Sequence, residues 1–399
     1  MNIHEYQAKK LLKNFKINIP KGLISYTPLE AQKSALKISP AGPWVLKAQI
    51  QAGARAKGHF LGHKNKISGV EIINRFEDIR PMAEKMLGGM LWTPQTSQKG
   101  KHVSKIYVEA FQKNQKTFYL SFVINRILSC ITLLAANVTD NIVDLAQKSP
   151  NAVLRLNLDL HGRIKSKDIK HLANFLKLPE KSRPHLKTFV QNLSKAFVSL
   201  DATLLEINPV GLNDDMKFTA LDAKISFDNN ALFRHQDIAL LQDDYETNEN
   251  TLKALKCGFK YREFDEGNIG LIVNGDGLAF AVQDYLKQTG YKVACALNIK
   301  GGVDEQKISE SLKIMMTSPK VEGIIINILG GFLRCNLVAD GIISALSDIG
   351  LNMPLVVRFE GTNKESATEI LQNHHFNVLM AQSLQDAVSK LTEAMKENN

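Results

Sequence analysis

The sequence predicts a chain of two domains: α+β over residues 1–245, then α/β over residues 246–399, the latter a doubly wound parallel sheet of flavodoxin-like order. Three observations carry this reading. After Gly267, five short apolar runs alternate with five helical stretches. Four of those runs end in glycine-bearing turns. Before residue 245, strands of alternating polarity close in a hairpin rich in carboxylate and carboxamide groups.

Taken from the amino end, MNIHEYQAKKLLKNF is a polar amphipathic helix, without the apolar core or small-residue cleavage site of a signal peptide. The segments WVLKAQI, SKIYVEAF, TFYLSFVINR and SCITLLAA read as strands. LLEINPV, ending at Pro209, and KFTALDA alternate on either side of Asn213, Asp214 and Asp215, so an antiparallel pair joined by a short turn is expected. Residues 240–266 are polar and read as a connector with one helix. Beyond it, NIGLIVN, KVACALNI, VEGIIINIL, PLVVRFE and FNVLMA are apolar nearly throughout, as strands are when helices cover both faces. The turns between them are Asn274-Gly275-Asp276-Gly277, Lys300-Gly301-Gly302, Gly330-Gly331 and Gly361-Thr362-Asn363.

With 44% hydrophobic and 23% charged residues among 399, the composition is that of a globular chain with full cores, and no apolar run approaches the length that spans a bilayer. A cytoplasmic location is expected. Cys130, Cys257, Cys295 and Cys335 lie far apart, with neither CxxC nor Cys/His spacing for zinc, which favours reduced, buried thiols. A net charge of +10 suits nucleic acid, an acidic surface or a small polyanion. The basic residues are scattered and no aromatic RNA-binding signature accompanies them, so phosphate-bearing small molecules fit better than nucleic acid.

Period-two spacing sends Glu206 and Asn208 to one side of the first hairpin strand, and Asp222 reaches that side from the second. One carboxamide with one or two carboxylates, leaving positions for water and phosphate, suits Mg²⁺. A solvated hairpin is the alternative on this stretch alone. A second cluster, KAQIQAGARAKGHF from Lys47 to Phe60, sets a lysine at a strand end and surrounds Arg55 and Lys57 with small residues, fitting either a polyphosphate or a plain basic loop. Glu109 in IYVEAF stands on a strand that reads as a platform for adenine or ribose, or as an ordinary edge carboxylate in water. Glycine turns at the carboxyl ends of parallel strands let N–H groups approach an anion. Together these parts compose a nucleotide site.

In order along nearly the whole chain, MNIHEYQAKKLL, KAQIQAGARAKG, TPQT, YVEA, LLEINPV, ALDAK, NNALFR, GNIGLIVNGDGLA, NILGGFLRC, ADGII and VVRFEGTN resemble the beta subunit of succinyl-CoA synthetase. The resemblance implies an ATP-grasp domain followed by a flavodoxin-like one. Its implied activity is that of an ADP-forming acid-thiol ligase of the tricarboxylic acid cycle, making succinyl-CoA reversibly from succinate, CoA and ATP through succinyl-phosphate and a phosphohistidine. A separate alpha subunit then carries the phosphohistidine and the CoA site, in an αβ or α2β2 heteromer. Nucleotide contacts are implied at Lys47, Ala54, Arg55, Ala56, Glu109, Gln112 and Thr117, and one Mg²⁺ on Asn208 and Asp222. Glu206 matches the catalytic glutamate that steadies the partner's histidine. Succinate and phosphohistidine contacts fall on Asn274, Gly331, Phe332 and Leu333, with a helix beginning near Phe332 aimed at the phosphate. Pro20 offers no side-chain amide to read guanine, so adenine is the expected base.

Several positions depart from the family pattern. Ala54 and Ala56 stand in a loop otherwise rich in glycine, Thr117 replaces an acidic residue, and Asn125 replaces the aspartate of an Asp-Arg pair. A glycine pair is missing around residues 137–141. Asn298-Ile299-Lys300-Gly301-Gly302 replaces an aspartate with a glycine run, and Asn336 stands where aspartate follows Arg-Cys. An active succinate ligase is the first expectation; a malate–CoA ligase and a divergent assembly subunit of reduced activity are the alternatives.

Overall fold

Three antiparallel sheets build the first part of the chain, the smallest pairing His59–Phe60, Met90–Trp92 and Lys101–His102, and one mostly parallel sheet builds the second. In the computed structural model, which describes residues 1–63, 66–138, 142–246, 248–299 and 301–397, these parts are the units Met1–Glu246 and Thr247–Asn399. Residues 139–141 and Lys300, which bear on two of the departures above, lie outside the described residues.

The helix Glu5–Asn14 turns Ala8 and Leu12 into the core of the first unit, and its N-cap His4 donates its backbone N–H to Gln7 Oε1 at 2.9 Å. The chain enters this helix beside the strand Lys224–Phe227, where the Phe227 N–H donates to Met1 O at 2.8 Å. One sheet runs Gly22–Ser25, Ile106–Ala110, Trp44–Ala48, Val70–Ile73, every pair antiparallel. Trp44, Leu46 and Val108 from it pack with Ala31, Ile79 and Met86 of two helices. The largest sheet of this unit runs Leu154–Leu158, Cys130–Ala136, Lys116–Asn125, Ala202–Leu212, and both Phe218–Ala220 and Lys224–Phe227 pair with that last strand. The helices Ser166–Phe175 and Arg183–Ser199 cover it, burying Leu172, Leu186 and Phe189 with Phe118 and Leu205.

The hairpin differs from its expected form in two ways. Its first strand does not end at Pro209 but runs on to Leu212, and its pairing with Lys116–Asn125 shifts register between Ile207 and Val210. Proline has no N–H for a ladder, so it sits where the ladder is interrupted. The second arm is split into Phe218–Ala220 and Lys224–Phe227, so Asp222 lies in the break between them and not on a strand.

In the second unit the strands lie in the order Lys260–Glu263, Val293–Asn298, Ile269–Val273, Gly323–Gly330, Leu355–Gly361, Leu379–Met380. All pairs are parallel except the first. Numbered along the chain, the five parallel strands stand as 2-1-3-4-5, the flavodoxin-like arrangement. The antiparallel edge strand falls inside the stretch read as a helical connector. KYRE is polar and mostly exposed, so it carries no alternation to reveal it. The helix expected near Phe332 begins at Cys335, with Arg334 as its N-cap. No described helix is long and apolar enough to cross a membrane.

Candidate functional site

Glu206, Asn208, Asp222, Ala54, Arg55 and Glu5 line one pocket of about 120 Å³ in the first unit. Alternation on the strand Ala202–Leu212 puts Glu206 and Asn208 on one face, and the break before Lys224–Phe227 turns Asp222 to meet them. The loop after Trp44–Ala48 brings in Ala54 and Arg55. Ala54 has φ 57° and ψ 30°, the left-handed conformation that glycine adopts without cost. The backbone thus keeps a glycine-type turn although the side chain does not.

From the pocket wall a largely buried ionic network runs inward. Lys47 Nζ is 2.8 Å from Glu5 Oε1, 2.6 Å from Glu109 Oε2 and 2.6 Å from the Leu221 carbonyl oxygen. Lys9 Nζ reaches the same Glu5 oxygen at 2.8 Å, the same carbonyl at 2.6 Å, and Glu109 Oε1. Arg55 donates one amino group to both Glu5 Oε2 and Asp222 Oδ2 at 2.7 Å, and the other to Ala48 O at 2.9 Å. Three cations therefore meet three carboxylates. Lys47 and Glu109 belong to paired strands, where Lys47 faces Tyr107 and Val45 faces Glu109, so the two side chains are diagonal neighbours on one face. Burial opposes charge at Glu5, yet Lys47, Lys9 and Arg55 hold its carboxyl well below the usual range. Burial likewise opposes charge at Lys47, but Glu109, Glu5 and Asp222 outweigh it and raise its pKa.

Glu206 stands apart from this network. Burial pushes its pKa up against the opposing pull of Lys224, and Asp222 adds to the rise. Tyr119 donates its hydroxyl to Glu206 Oε2 at 3.4 Å, and Asn208 hydrogen-bonds the same carboxylate. Two carboxylates and a carboxamide around a small pocket fit a hard divalent cation that keeps several waters. At Asp222 the cation would compete with Arg55, which holds Oδ2 at 2.7 Å, while Oδ1 accepts the Ala223 N–H at 2.7 Å.

The remaining expected positions are placed differently. Lys47 and Glu109 are 7% and 1% exposed and stand behind the pocket rather than in its lining. Ala56 is exposed, and Gln112 and Thr117 are exposed on and just after the segment linking Ile106–Ala110 to Lys116–Asn125. Glu5 and Lys9 were not expected at all. Their only signal is an i,i+4 Glu–Lys pair flanking the buried Ala8 and Leu12, a spacing that more often marks a solvated pair. The histidines show no ligand spacing in sequence, yet the fold brings His4 within 2.7 Å of Asp243 and 3.4 Å of Glu246, with Lys105 and Lys101 pairing the same two acids.

In the second unit, Asn274 follows strand 1 and Gly331 follows strand 3 of the parallel set, on either side of the point where strand order reverses. The Asn274 amide spans that point. It donates Nδ2 to Leu329 O at 2.6 Å and accepts the Leu329 N–H at 2.9 Å. Phe332 is fully exposed and Leu333 buried, in the bend before Cys335–Ile349. Gly330 and Gly361 are register partners, and a Cβ on Gly361 would stand 2.2 Å from Gly330 O, so only glycine allows these strand ends to close.

The fold is that of an ATP-grasp domain followed by a CoA-ligase domain. Residues 2–212 match the family model of the ATP-grasp domain, and residues 272–392 that of the CoA-ligase. The chain is 38% identical over 403 residues to the succinate–CoA ligase [ADP-forming] subunit beta of Rhodopseudomonas palustris (strain BisB18), covering all of both. It is 39% identical over 400 residues to the protein of that name from Caulobacter vibrioides (strain NA1000 / CB15N), covering 99% of each. The chain belongs to the family of succinate–CoA ligase [ADP-forming] beta subunits. ATP citrate lyase from Methanothrix soehngenii shares the fold, with a TM-score of 0.73, 13% identity, and coverage of 98% of this chain and 99% of that one.

Proposed function

We propose that this chain is the nucleotide-binding subunit of a succinate–CoA ligase that works with an alpha subunit and converts ATP, succinate and CoA into ADP, phosphate and succinyl-CoA. The observation that carries the reading is the convergence of Glu206, Asn208, Asp222 and Arg55 on one pocket within a chain of this family. Arg55 and the backbone at Ala54 and Ala56 take the nucleotide phosphates, and Lys47 adds its positive charge from behind the pocket wall. Glu109 serves through Lys47, which it holds in place, and Gln112 on the linking segment and Thr117 at the start of the next strand take the base and ribose. Asn208 and Asp222 hold one Mg²⁺, which when bound offsets phosphate charge during transfer.

The chemistry runs in three steps. A nitrogen of the partner's histidine attacks the γ-phosphorus, the bond to the β-phosphate oxygen breaks, and ADP leaves. Glu206 orients that imidazole by accepting its other N–H, and the half-buried carboxylate, little hydrated, is suited to the cation that forms. A succinate carboxylate oxygen then takes the phosphoryl group from nitrogen. Finally the CoA thiolate attacks the acyl carbon and phosphate departs. Asn274 with Gly331, Phe332 and Leu333 receives the carboxylate and the phosphorylated ring at the strand-order switch of the second unit.

Incubating the purified chain with γ-labelled ATP and Mg²⁺, with and without its alpha partner, tests this. Acid-labile label on the partner, discharged by ADP or by succinate with CoA but not by malate with CoA, is expected. Stable label on this chain alone overturns the division of labour, and discharge by malate in preference overturns the substrate.

A further inference from the structure

We propose that Glu5 is a positioning residue for the metal and nucleotide: it anchors Arg55 and Lys47 at the pocket while Asp222 exchanges the Arg55 guanidinium for a divalent cation. The inference rests on the assignment of Asn208 and Asp222 as metal ligands made above.

The geometry of Arg55 points to the exchange. One guanidinium nitrogen bridges two carboxylates at 2.7 Å, but those carboxylates differ in access: the Glu5 side chain is 2% exposed and that of Asp222 33%. One end of the bridge is sealed and the other opens on the pocket. The Asp222 oxygen held by Arg55 is the one free of its own backbone, since Oδ1 already accepts the Ala223 N–H. A divalent cation and a guanidinium on one carboxylate oxygen repel each other strongly in a half-buried site. Cation binding at Asp222 therefore displaces Arg55 from it, and Glu5 together with the Ala48 carbonyl keeps the guanidinium from leaving the pocket wall. The N–H released from Asp222 is then free to turn to a phosphate oxygen.

Glu5 reaches further than Arg55. The same carboxylate holds Lys47 and Lys9 at 2.8 Å, so a single side chain near the start of the first helix sets the positions of three cations. A bidentate carboxylate is needed for this, one oxygen for the two lysines and the other for Arg55. Glutamine keeps the shape but surrenders the charge and one acceptor.

The test is Mn²⁺ binding to the full chain, followed by electron paramagnetic resonance without nucleotide, in Glu5→Gln, Arg55→Met, their double variant and Asp222→Asn. In Glu5→Gln, Asp222 is left as the carboxylate of Arg55, the guanidinium competes harder, and Mn²⁺ binding should weaken roughly tenfold, as when one charge-assisted hydrogen bond changes hands. With Arg55→Met already present, adding Glu5→Gln should change Mn²⁺ affinity less than about twofold, because the competitor is gone. A general structural defect would weaken binding equally in both backgrounds, and that result, or no weakening in a folded Glu5→Gln chain, overturns the proposal. If Glu5→Gln does not fold, Glu5→Asp, which keeps the charge but shortens the reach, measures the same coupling in the two backgrounds. Asp222→Asn separates the two layers of argument. Undiminished Mn²⁺ binding there defeats the metal assignment and the exchange with it, whereas lost binding with no Glu5–Arg55 coupling defeats the exchange alone.

Discussion

Replacing Glu109 by glutamine removes one charge from the largely buried network and keeps its shape. The Glu109 side chain is 2% exposed, and its oxygens are held by Lys9 and by Lys47 at 2.6 Å. Breaking a buried ion pair by removing one partner costs about 3–5 kcal/mol, because the other charge stays buried. Here Glu5 and the Leu221 carbonyl still face both lysines, which places the cost at the lower end, about 3 kcal/mol. Urea unfolding followed by tryptophan fluorescence reads it cleanly. Both tryptophans of the chain, Trp44 and Trp92, lie in the first unit, and Trp44 is 2% exposed. At a slope of about 3 kcal/mol per molar urea, the midpoint should fall by roughly 1 M. Glu84→Gln is the matched control, since it breaks an exposed i,i+4 pair with Arg80 at 3.0 Å and should shift stability by only a few tenths of a kcal/mol. A Glu109→Gln midpoint indistinguishable from that control would refute the burial argument and return Glu109 to the surface of a ligand site.

Asp222→Asn keeps one oxygen for the metal and loses the charge, so the Mg²⁺ concentration at half-maximal ATP turnover should rise by roughly tenfold; an unchanged titration counts against the assignment. Ala54→Gly relieves an L-residue at φ 57°, and the thermal midpoint should rise by a few degrees for about 1 kcal/mol gained; no rise means the loop stores no strain. His4 is held neutral by burial, against the pull of Asp243, so its pKa lies below the ordinary 6.5. The unfolded chain takes up this proton first on acidification, so the His4 contribution is complete above about pH 6.5 and is lost as pH falls below it. His4→Gln should flatten the stability profile between about pH 7 and 5, and an unchanged slope there would contradict the sign.

Legibility followed local pattern. The parallel strands can be read because burial on both faces leaves long apolar runs, and the edge strand Lys260–Glu263 cannot, because water on its face leaves none. Alternation alone puts Glu206 and Asn208 together. It is blind to the register shift at Pro209, which depends on the neighbouring strand, and so it misplaces the end of the first arm and the seat of Asp222. The charged face of the first helix is the clearest failure. Glu5 and Lys9 look like a surface pair, and what buries them lies 100 residues away at Glu109 and 212 away at Leu221.

Those separations also set an order of events in synthesis. Lys9 and Lys47 share the carbonyl of Leu221, across 212 and 174 residues of chain. The first helix is thus among the earliest segments made and among the last to be finished, since closing loops of that length precedes any gain from the contact. A chain released after Leu212, where the ATP-grasp match ends, would lack the Leu221 carbonyl, Asp222 and Asp243 alike. Two ammonium groups would lose an acceptor, Arg55 one of its carboxylates, and His4 its acid partner. The packing around the first helix can therefore be completed only after residue 243 has been made.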